Sequence, residues 1–278
     1  MPPNRFLSAD IPALMLDLIT LDPGRPRVTW YGPDHERVEF SAKTLNNWVS
    51  KTANLLVDEL DAGPGSRVGL ALPGHWRTVV WLLAGWSVGA HMIVLPSVAA
   101  QDPEQDSAPT TAVDVLVTDR PSSPPPGTVE SLLVVVALPA LATRFLGDVP
   151  TGAIDAAAEV RLQPDVFVVG ERPAGTDPAF TAGRRTVLHA DLMSAARTGA
   201  GPTLSAESAA SSESAAAVDP RSGAVRLLTG AGPDRAIETY LAALAGGGSV
   251  VLHHDLAALT EAERAHLAGQ EGVTAVDL

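Results

Sequence analysis

The feature that most constrains the fold of this chain is a series of short apolar runs in which polar and apolar residues do not alternate. Residues 113–118 and 132–137 are two such runs, both rich in β-branched residues. Runs of this kind are typical of strands covered on both faces, as in a parallel sheet. Segment 76–89 is apolar nearly all round, which predicts a buried helix. Strands that alternate with helices predict an α/β fold, with a doubly wound, mostly parallel sheet and flanking helices.

The other predicted elements follow from periodicity and turn residues. A β-hairpin is expected from strands 27–31 and 37–40, and Ser41 is expected to cap a helix over about 43–60. The remaining predicted helices are 11–20 and 235–245, and the remaining predicted strands are 66–72, 91–96, 166–169, 225–228 and 249–252. We interpret residues 1–278 as a single α/β domain, in which the Ser/Ala-rich segment of about 203–217 is a flexible linker.

Composition excludes several classes of function. The net charge is −13, from 19 Lys and Arg against 32 Asp and Glu, which argues against binding to nucleic acid or to an anionic membrane. The chain has no cysteine, so disulfides and thiolate metal sites are excluded, and no metal site is expected. We expect a cytoplasmic protein with no membrane span, since the N-terminus lacks signal-peptide features and the apolar stretch 79–95 is interrupted. The scarcity of lysine, beside abundant Ala, Gly, Pro and Arg, indicates a high-GC genome of the actinobacterial kind.

A family resemblance is carried by three stretches in the first 120 residues. Residues 61–73 read DAGPGSRVGLALP, residues 85–90 read GWSVGA, and the next strand closes with Val94-Leu95-Pro96. This order resembles the opening of the AMP-dependent synthetases and ligases, the acyl-adenylate-forming family, in which a "GxxPGDRVA" loop and a "KxGA" turn each lead into a strand. The resemblance implies that the chain is similar to the N-terminal part of the adenylate-forming fold.

The resemblance also implies where a phosphate-binding loop should lie. The family reads "YTSGTTGxPKG" there, followed by a helix that starts "THxNL". The best counterpart is segment 181–192, TAGRRTVLHADL, which is about two residues short and has no loop lysine. Thr181, Gly183, Arg184 and Arg185 are therefore the candidate residues for contacting ATP or AMP, because hydroxyls, backbone N–H groups and arginines can hold phosphate oxygens. The alternative is a degenerate surface loop with solvated arginines.

Other elements of the family's chemistry are missing. The chain has no "YGxTE" or "TGD" motif, and no lysine after Lys51, whereas the family draws a catalytic lysine from a mobile C-terminal domain for which this sequence has no room. Loss of these three elements should remove most of the transition-state stabilisation. We therefore assign no catalytic residue and expect no required cofactor, with ATP or AMP as candidate ligands.

Three further motifs point to structure more than to chemistry. Residues 229–234, TGAGPD, lack the pattern of a dinucleotide or P-loop site and predict a structural turn. His253, His254 and Asp255 have no further ligands at metal-binding spacing. No Gly-x-Ser-x-Gly elbow of a hydrolase occurs.

The leading hypothesis is a truncated, degenerate pseudoenzyme of the acyl-CoA synthetase-like family, non-catalytic or weakly active. It would act as a scaffold that binds a protein partner or a small acyl or nucleotide ligand, and a homodimer is compatible with the sequence. One alternative is an ATP-dependent, AMP-forming acid ligase completed by a separate C-terminal domain. Another is a nucleotide-binding regulatory module that uses loop 181–192 without chemistry.

Overall fold

The computed structural model describes residues 8–95, 112–125, 128, 131–198 and 224–278. The predicted linker 203–217 lies outside the described residues. The strands are β1 (Pro26–Tyr31), β2 (Arg37–Ser41), β3 (Arg67–Ala71), β4 (His91–Val94), β5 (Val115–Thr118), β6 (Leu132–Val135), β7 (Ile154–Asp155), β8 (Pro178–Ala182), β9 (Arg185–Leu188), β10 (Arg226–Thr229), β11 (Ser249–His253) and β12 (Ala275–Asp277). The α-helices are α1 (Ile11–Leu21), α2 (Ala42–Asp58), α3 (Trp76–Ser87), α4 (Ala156–Glu159), α5 (His189–Thr198), α6 (Ala242–Ala245) and α7 (Glu261–Glu271).

The strands are divided between two mostly parallel sheets. The five-stranded sheet has the order β12-β10-β11-β1-β2, and the seven-stranded sheet has the order β7-β6-β5-β3-β4-β8-β9. Only the hairpins β1–β2 and β8–β9 pair antiparallel among the described strands. The predicted α/β class with mostly parallel strands and flanking helices is confirmed.

Helix α3 lies at the centre of the core. All twelve of its residues are buried, as its nearly continuous apolar sequence predicts, and it contacts both β1 and β4. It thereby joins the two sheets. Helix α2 packs against α3, and its first turn is capped by Ser41, whose hydroxyl accepts a hydrogen bond from Thr44 N, as predicted.

The strand predicted at residues 166–169 is wrong. Val166 and Val168 are exposed, and no strand forms between Leu162 and Pro178. The carbonyls of Pro164 and Val166 accept hydrogen bonds from Asn54 on α2. Side-chain contacts with a helix therefore hold this segment as a loop, with its valines turned to solvent.

The helix predicted at residues 235–245 is less regular than expected. A 3₁₀ turn, Pro233–Arg235, leads into a π-helical stretch, Ile237–Leu241, and then into α6. The spacing of apolar residues does not distinguish the 3₁₀, α and π types of helix, since each returns a side chain to the same face after three to five residues.

Across the described ranges, no helix is long and apolar enough to cross a membrane.

Candidate functional site

The predicted phosphate-binding residues lie on the hairpin at the edge of the seven-stranded sheet. Thr181 is in β8 and pairs with Thr186, while Ala182 pairs with Arg185. Only Gly183 and Arg184 remain between the two strands. Gly183 has φ +58, the left-handed conformation that tight two-residue hairpin turns require. The segment is therefore a minimal hairpin turn.

The two arginines of this hairpin have different surroundings. Arg185 forms an ion pair with Glu238 of the π-helical stretch, so its guanidinium already has an anionic partner within the protein. Arg184 is exposed at the tip of the hairpin, and it makes no ion pair with any residue in the described ranges. A single exposed arginine on a surface turn attracts an anion only weakly, because water and salt screen it.

The Thr181 hydroxyl belongs to a hydrogen-bonded chain of side chains. Its Oγ1 lies 2.8 Å from His91 Nε2 and 2.9 Å from Thr186 Oγ1. Burial, aided by the nearby His189 and Arg67, lowers the pKa of His91, which keeps its imidazole neutral near neutral pH. The sequence signal for this contact is weak, because His91 and Thr181 are 90 residues apart and meet only through the parallel pairing of β4 with β8.

His189 opens α5 directly after the hairpin. Its Nε2 is buried and has no hydrogen-bond partner, and burial lowers the pKa of the ring. A neutral His189 and a neutral His91 flank the base of the hairpin. Neither ring touches a carboxylate that would orient it as a general base, so the pair lacks the third group of a nucleophilic triad within the described residues.

The carboxyl ends of the parallel strands are the usual ligand-binding edge of an α/β sheet. Here the loops that follow β3 and β10, one from each sheet, pack against one another. A Cβ built on Gly74, after β3, would lie 2.6 Å from the carbonyl oxygen of Ala231, after β10. The same oxygen accepts the hydroxyl of Tyr240, and Thr229 Oγ1 accepts Ala231 N at 2.9 Å. Segment 229–234 is thus a packed structural turn, in agreement with the sequence prediction.

The histidines at the end of β11 form an aromatic stack. The rings of His253 and His254 are 4.9 Å apart, and His253 also stacks on Tyr31 at 6.3 Å. His253 Nδ1 accepts the backbone N–H of Asp255. No group of three or more His, Asp or Glu side chains in the described ranges is arranged to hold a metal ion.

Comparison with known proteins gives one sequence relative and several structural ones. No family model matches the chain. A protein of Mycobacterium tuberculosis described as "TIGR03089 family protein" is 34% identical over 242 residues, which cover 86% of this chain and 87% of that protein.

The structural neighbours are ligases. The Brucella canis acyl-CoA synthetase matches with a TM-score of 0.68 at 18% identity, over 99% of this chain and 48% of its own. The acetoacetyl-CoA synthetase of Streptomyces lividans gives 0.65 at 16%, over 96% and 42%. The anthranilate CoA ligase AuaEII, in complex with anthranoyl-AMP, gives 0.62 at 14%, over 89% and 45%. These matches show that the fold is that of the adenylate-forming enzymes, and that the chain spans about half the length of each solved structure.

Proposed function

Since the chain belongs to the TIGR03089 family and has the fold of the adenylate-forming enzymes, we propose that it is a non-catalytic or weakly active relative of those enzymes. It binds a partner protein or a small ligand, and its activation of carboxylates is absent or weak. The proposal includes a cytoplasmic location, and the partner protein can be a second copy of this chain.

The observation that carries this proposal is the hairpin of β8 and β9. A phosphate cradle needs several backbone N–H groups that point into one concave loop, together with uncompensated positive charge. The hairpin has a two-residue turn, and Arg185 is paired with Glu238. The Thr181 hydroxyl already bonds His91 and Thr186. The missing "TGD" motif and the absence of lysine after Lys51 support the same conclusion.

The test is carboxylate-dependent exchange of pyrophosphate into ATP by the purified protein, with a panel of short-chain, long-chain and aromatic acids. We expect no exchange above that of heat-denatured protein. Exchange that Thr181→Ala abolishes, and that the exposed helical control Thr198→Ala preserves, contradicts the proposal.

A second candidate is a ligase that a separate polypeptide completes. The observation in its favour is that the chain spans about half of each ligase structure it matches. This candidate requires ATP to bind the isolated chain. Calorimetry at millimolar ATP tests this candidate. If no heat of binding is detected, the candidate is excluded.

A third candidate is a regulatory module that binds a nucleotide without chemistry. The exposed guanidinium of Arg184 at the hairpin tip favours it, because that charge is free to meet a phosphate. It predicts that AMP or ATP slows amide exchange in residues 181–192, and that Arg184→Gln removes this protection. Unchanged exchange at saturating nucleotide excludes it.

A further inference from the structure

Two neighbouring surface segments carry most of the fully exposed apolar side chains. They are residues 141–149, in the loop between β6 and β7, and residues 161–168, which follow α4. Apart from the terminal Leu278, the five most exposed large apolar side chains of the described ranges lie in these two segments. All five are between 69% and 83% exposed, and we call them the apolar strip: Leu141, Leu146, Leu162, Val166 and Val168.

Hydrogen bonds hold the two segments in place beside one another. Arg161 Nη2 donates to the carbonyl oxygen of Ala142 at 3.2 Å, which ties the second segment to the first. The second segment is also fixed on α2, since Lys51 Nζ donates to the carbonyl oxygen of Arg161 at 3.3 Å. One turn further along α2, Asn54 holds the carbonyl of Val166. The backbone under the apolar strip is therefore already ordered, so a partner that covers it loses little affinity to ordering.

The apolar strip is large for the surface of a monomer. Five side chains exposed to this degree present on the order of 600 Å² of apolar surface, the upper end of the usual range for the largest patch on a monomer. A standard protein interface buries about 800 Å² of each partner. Together with the polar residues between them, the five side chains can therefore form one side of a stable interface.

The charged side chains beside the apolar strip are balanced in sign. The exposed charged residues of the two segments are Arg144, Asp148, Arg161 and Asp165. None of the four makes an ion pair with another residue of the described ranges. The surface is thus locally neutral, although the whole chain carries a net charge of −13.

This balance suits a second copy of the same chain. In a two-fold interface the same surface is used by both copies, so residues of one sign must find residues of the other sign on an identical surface. Two arginines and two aspartates without ion pairs meet that requirement. Contact through a neutral surface also keeps the excess negative charge of the two copies apart. A strongly acidic or basic partner would gain nothing from it.

We propose that the apolar strip is the interface of a homodimer, in which two copies of the chain meet across a two-fold axis. The leucine and valine side chains of one copy pack on those of the other, and the exposed arginines lie opposite aspartates. This inference rests on the proposed binding function and names its partner protein as a second copy. Pyrophosphate exchange tests the first proposal and self-association tests the second, so either can fail alone.

The proposed interface leaves the predicted nucleotide site uncovered. The loop 141–149 leads into β7, which forms one edge of the seven-stranded sheet, whereas the β8–β9 hairpin forms the opposite edge. Association and nucleotide binding can therefore be measured separately on the same protein.

The experiment is sedimentation velocity of the full chain at protein concentrations from about 1 to 200 µM. We expect a reversible monomer–dimer equilibrium with a Kd in the micromolar range or below. The Tm should also rise with protein concentration, because unfolding then includes dissociation.

Variants locate the interface. Leu146→Ser and Leu162→Ser each remove one apolar side chain, from different segments, and each should weaken the dimer at least tenfold. Leu278→Ser is the matched control, because Leu278 is 79% exposed but follows β12, at the edge of the other sheet. It should associate as the parent does. All three side chains are exposed, so the circular dichroism of each variant should match that of the parent.

The proposal is overturned if the parent is a monomer at about 200 µM, even where that monomer binds a different protein. It is also overturned if Leu146→Ser and Leu162→Ser both dimerise like the parent, or if Leu278→Ser weakens the dimer as much as they do.

Discussion

His75 shows how a single residue links the fold to pH. It is 2% exposed at the start of α3, where its Nδ1 accepts the backbone N–H of Arg77 at 3.0 Å. Its ring also packs edge-on against Trp30, with the ring centres 4.5 Å apart. Burial, followed by repulsion from Arg77, lowers the pKa of His75 to about 3. The folded protein therefore keeps this imidazole neutral over a range in which an unfolded chain protonates it.

Protonation of His75 should destabilise the protein in mild acid. The pKa of His75 is lower in the folded state than its unfolded value of about 6.5, so its contribution to stability is complete above that pH and is lost as pH falls towards 3. Between about pH 6 and 4, this group alone should lower the free energy of unfolding by about 1.4 kcal/mol per pH unit. Urea unfolding at pH 7, 6 and 5 measures this slope.

His75→Asn is the control for that slope, because asparagine can still cap α3 but does not titrate. The variant should be less stable at pH 7 and should lose stability more slowly on acidification. Parallel pH profiles for the two proteins would show that His75 is not the group responsible. His91, His189 and His253 also have lowered pKa values, so a weaker dependence of the same sign should remain.

At the scale of elements, the β8–β9 hairpin depends on the backbone of one residue. Gly183 has φ +58, and a Cβ built there meets no atom within 4 Å. Gly183→Ala should therefore destabilise the protein by about 1 kcal/mol through backbone strain alone. Gly183→Asn should cost less, because asparagine tolerates the left-handed region. Urea unfolding checks both.

Gly63 supplies the matched control for the hairpin. A Cβ at Gly63 also meets no atom within 4 Å, but its φ lies outside the left-handed region. Gly63→Ala should stay within about 0.5 kcal/mol of the parent. Equal costs at the two positions would mean that the turn conformation does not limit the hairpin.

The loop after Leu162 depends on one amide side chain of α2. Asn54 Nδ2 donates to the carbonyls of Pro164 and Val166 at 2.9 and 3.1 Å. Asn54→Ala removes both hydrogen bonds, so the free energy of unfolding should fall by about 1–2 kcal/mol. Urea unfolding measures this, with Asn47→Ala on the same helix as the control. An unchanged free energy of unfolding would mean that Lys51, which also donates to this segment, holds it alone.

The sequence predicts those elements whose determinants lie close together in the chain. The cap at Ser41 and the apolar periodicity of α2 are local, and so is the turn between β1 and β2, which is why these predictions are confirmed. Residues 166–169 have a strand-like composition, but the hydrogen bonds from Asn54 come from more than a hundred positions away. The contact between His91 and Thr181 is also invisible to local patterns. Binding of a nucleotide by the hairpin stays a prediction.

At the scale of the whole molecule, the division into two sheets was not visible in the strand pattern. Every parallel strand has the same apolar character, and nothing in 67–71 or 249–253 assigns it to one sheet or the other. The assignment depends on α3, which contacts a strand of each sheet, and on the loops that meet at their carboxyl ends. There, Trp30 of the five-stranded sheet packs against His75, which follows the seven-stranded sheet.

Gly74 determines how closely those two loops approach. A Cβ at this position would lie 2.6 Å from the backbone oxygen of Ala231 and 3.4 Å from the Tyr240 hydroxyl. Backbone cannot rotate away as a side chain can, so Gly74→Ala should push the loops apart and weaken the joint between the sheets. We expect a loss of roughly 1–3 kcal/mol in the free energy of unfolding, the usual cost of overpacking.

Gly24→Ala is the control, since its Cβ would meet only Asp22 at an ordinary 3.6 Å. Urea unfolding, followed by tryptophan fluorescence and by circular dichroism, measures the loss. If the contact between these loops makes the two sheets unfold together, the fluorescence and circular dichroism transitions should coincide in the parent and separate in Gly74→Ala. A loss below about 0.5 kcal/mol with coincident transitions would show that the loops do not couple the sheets.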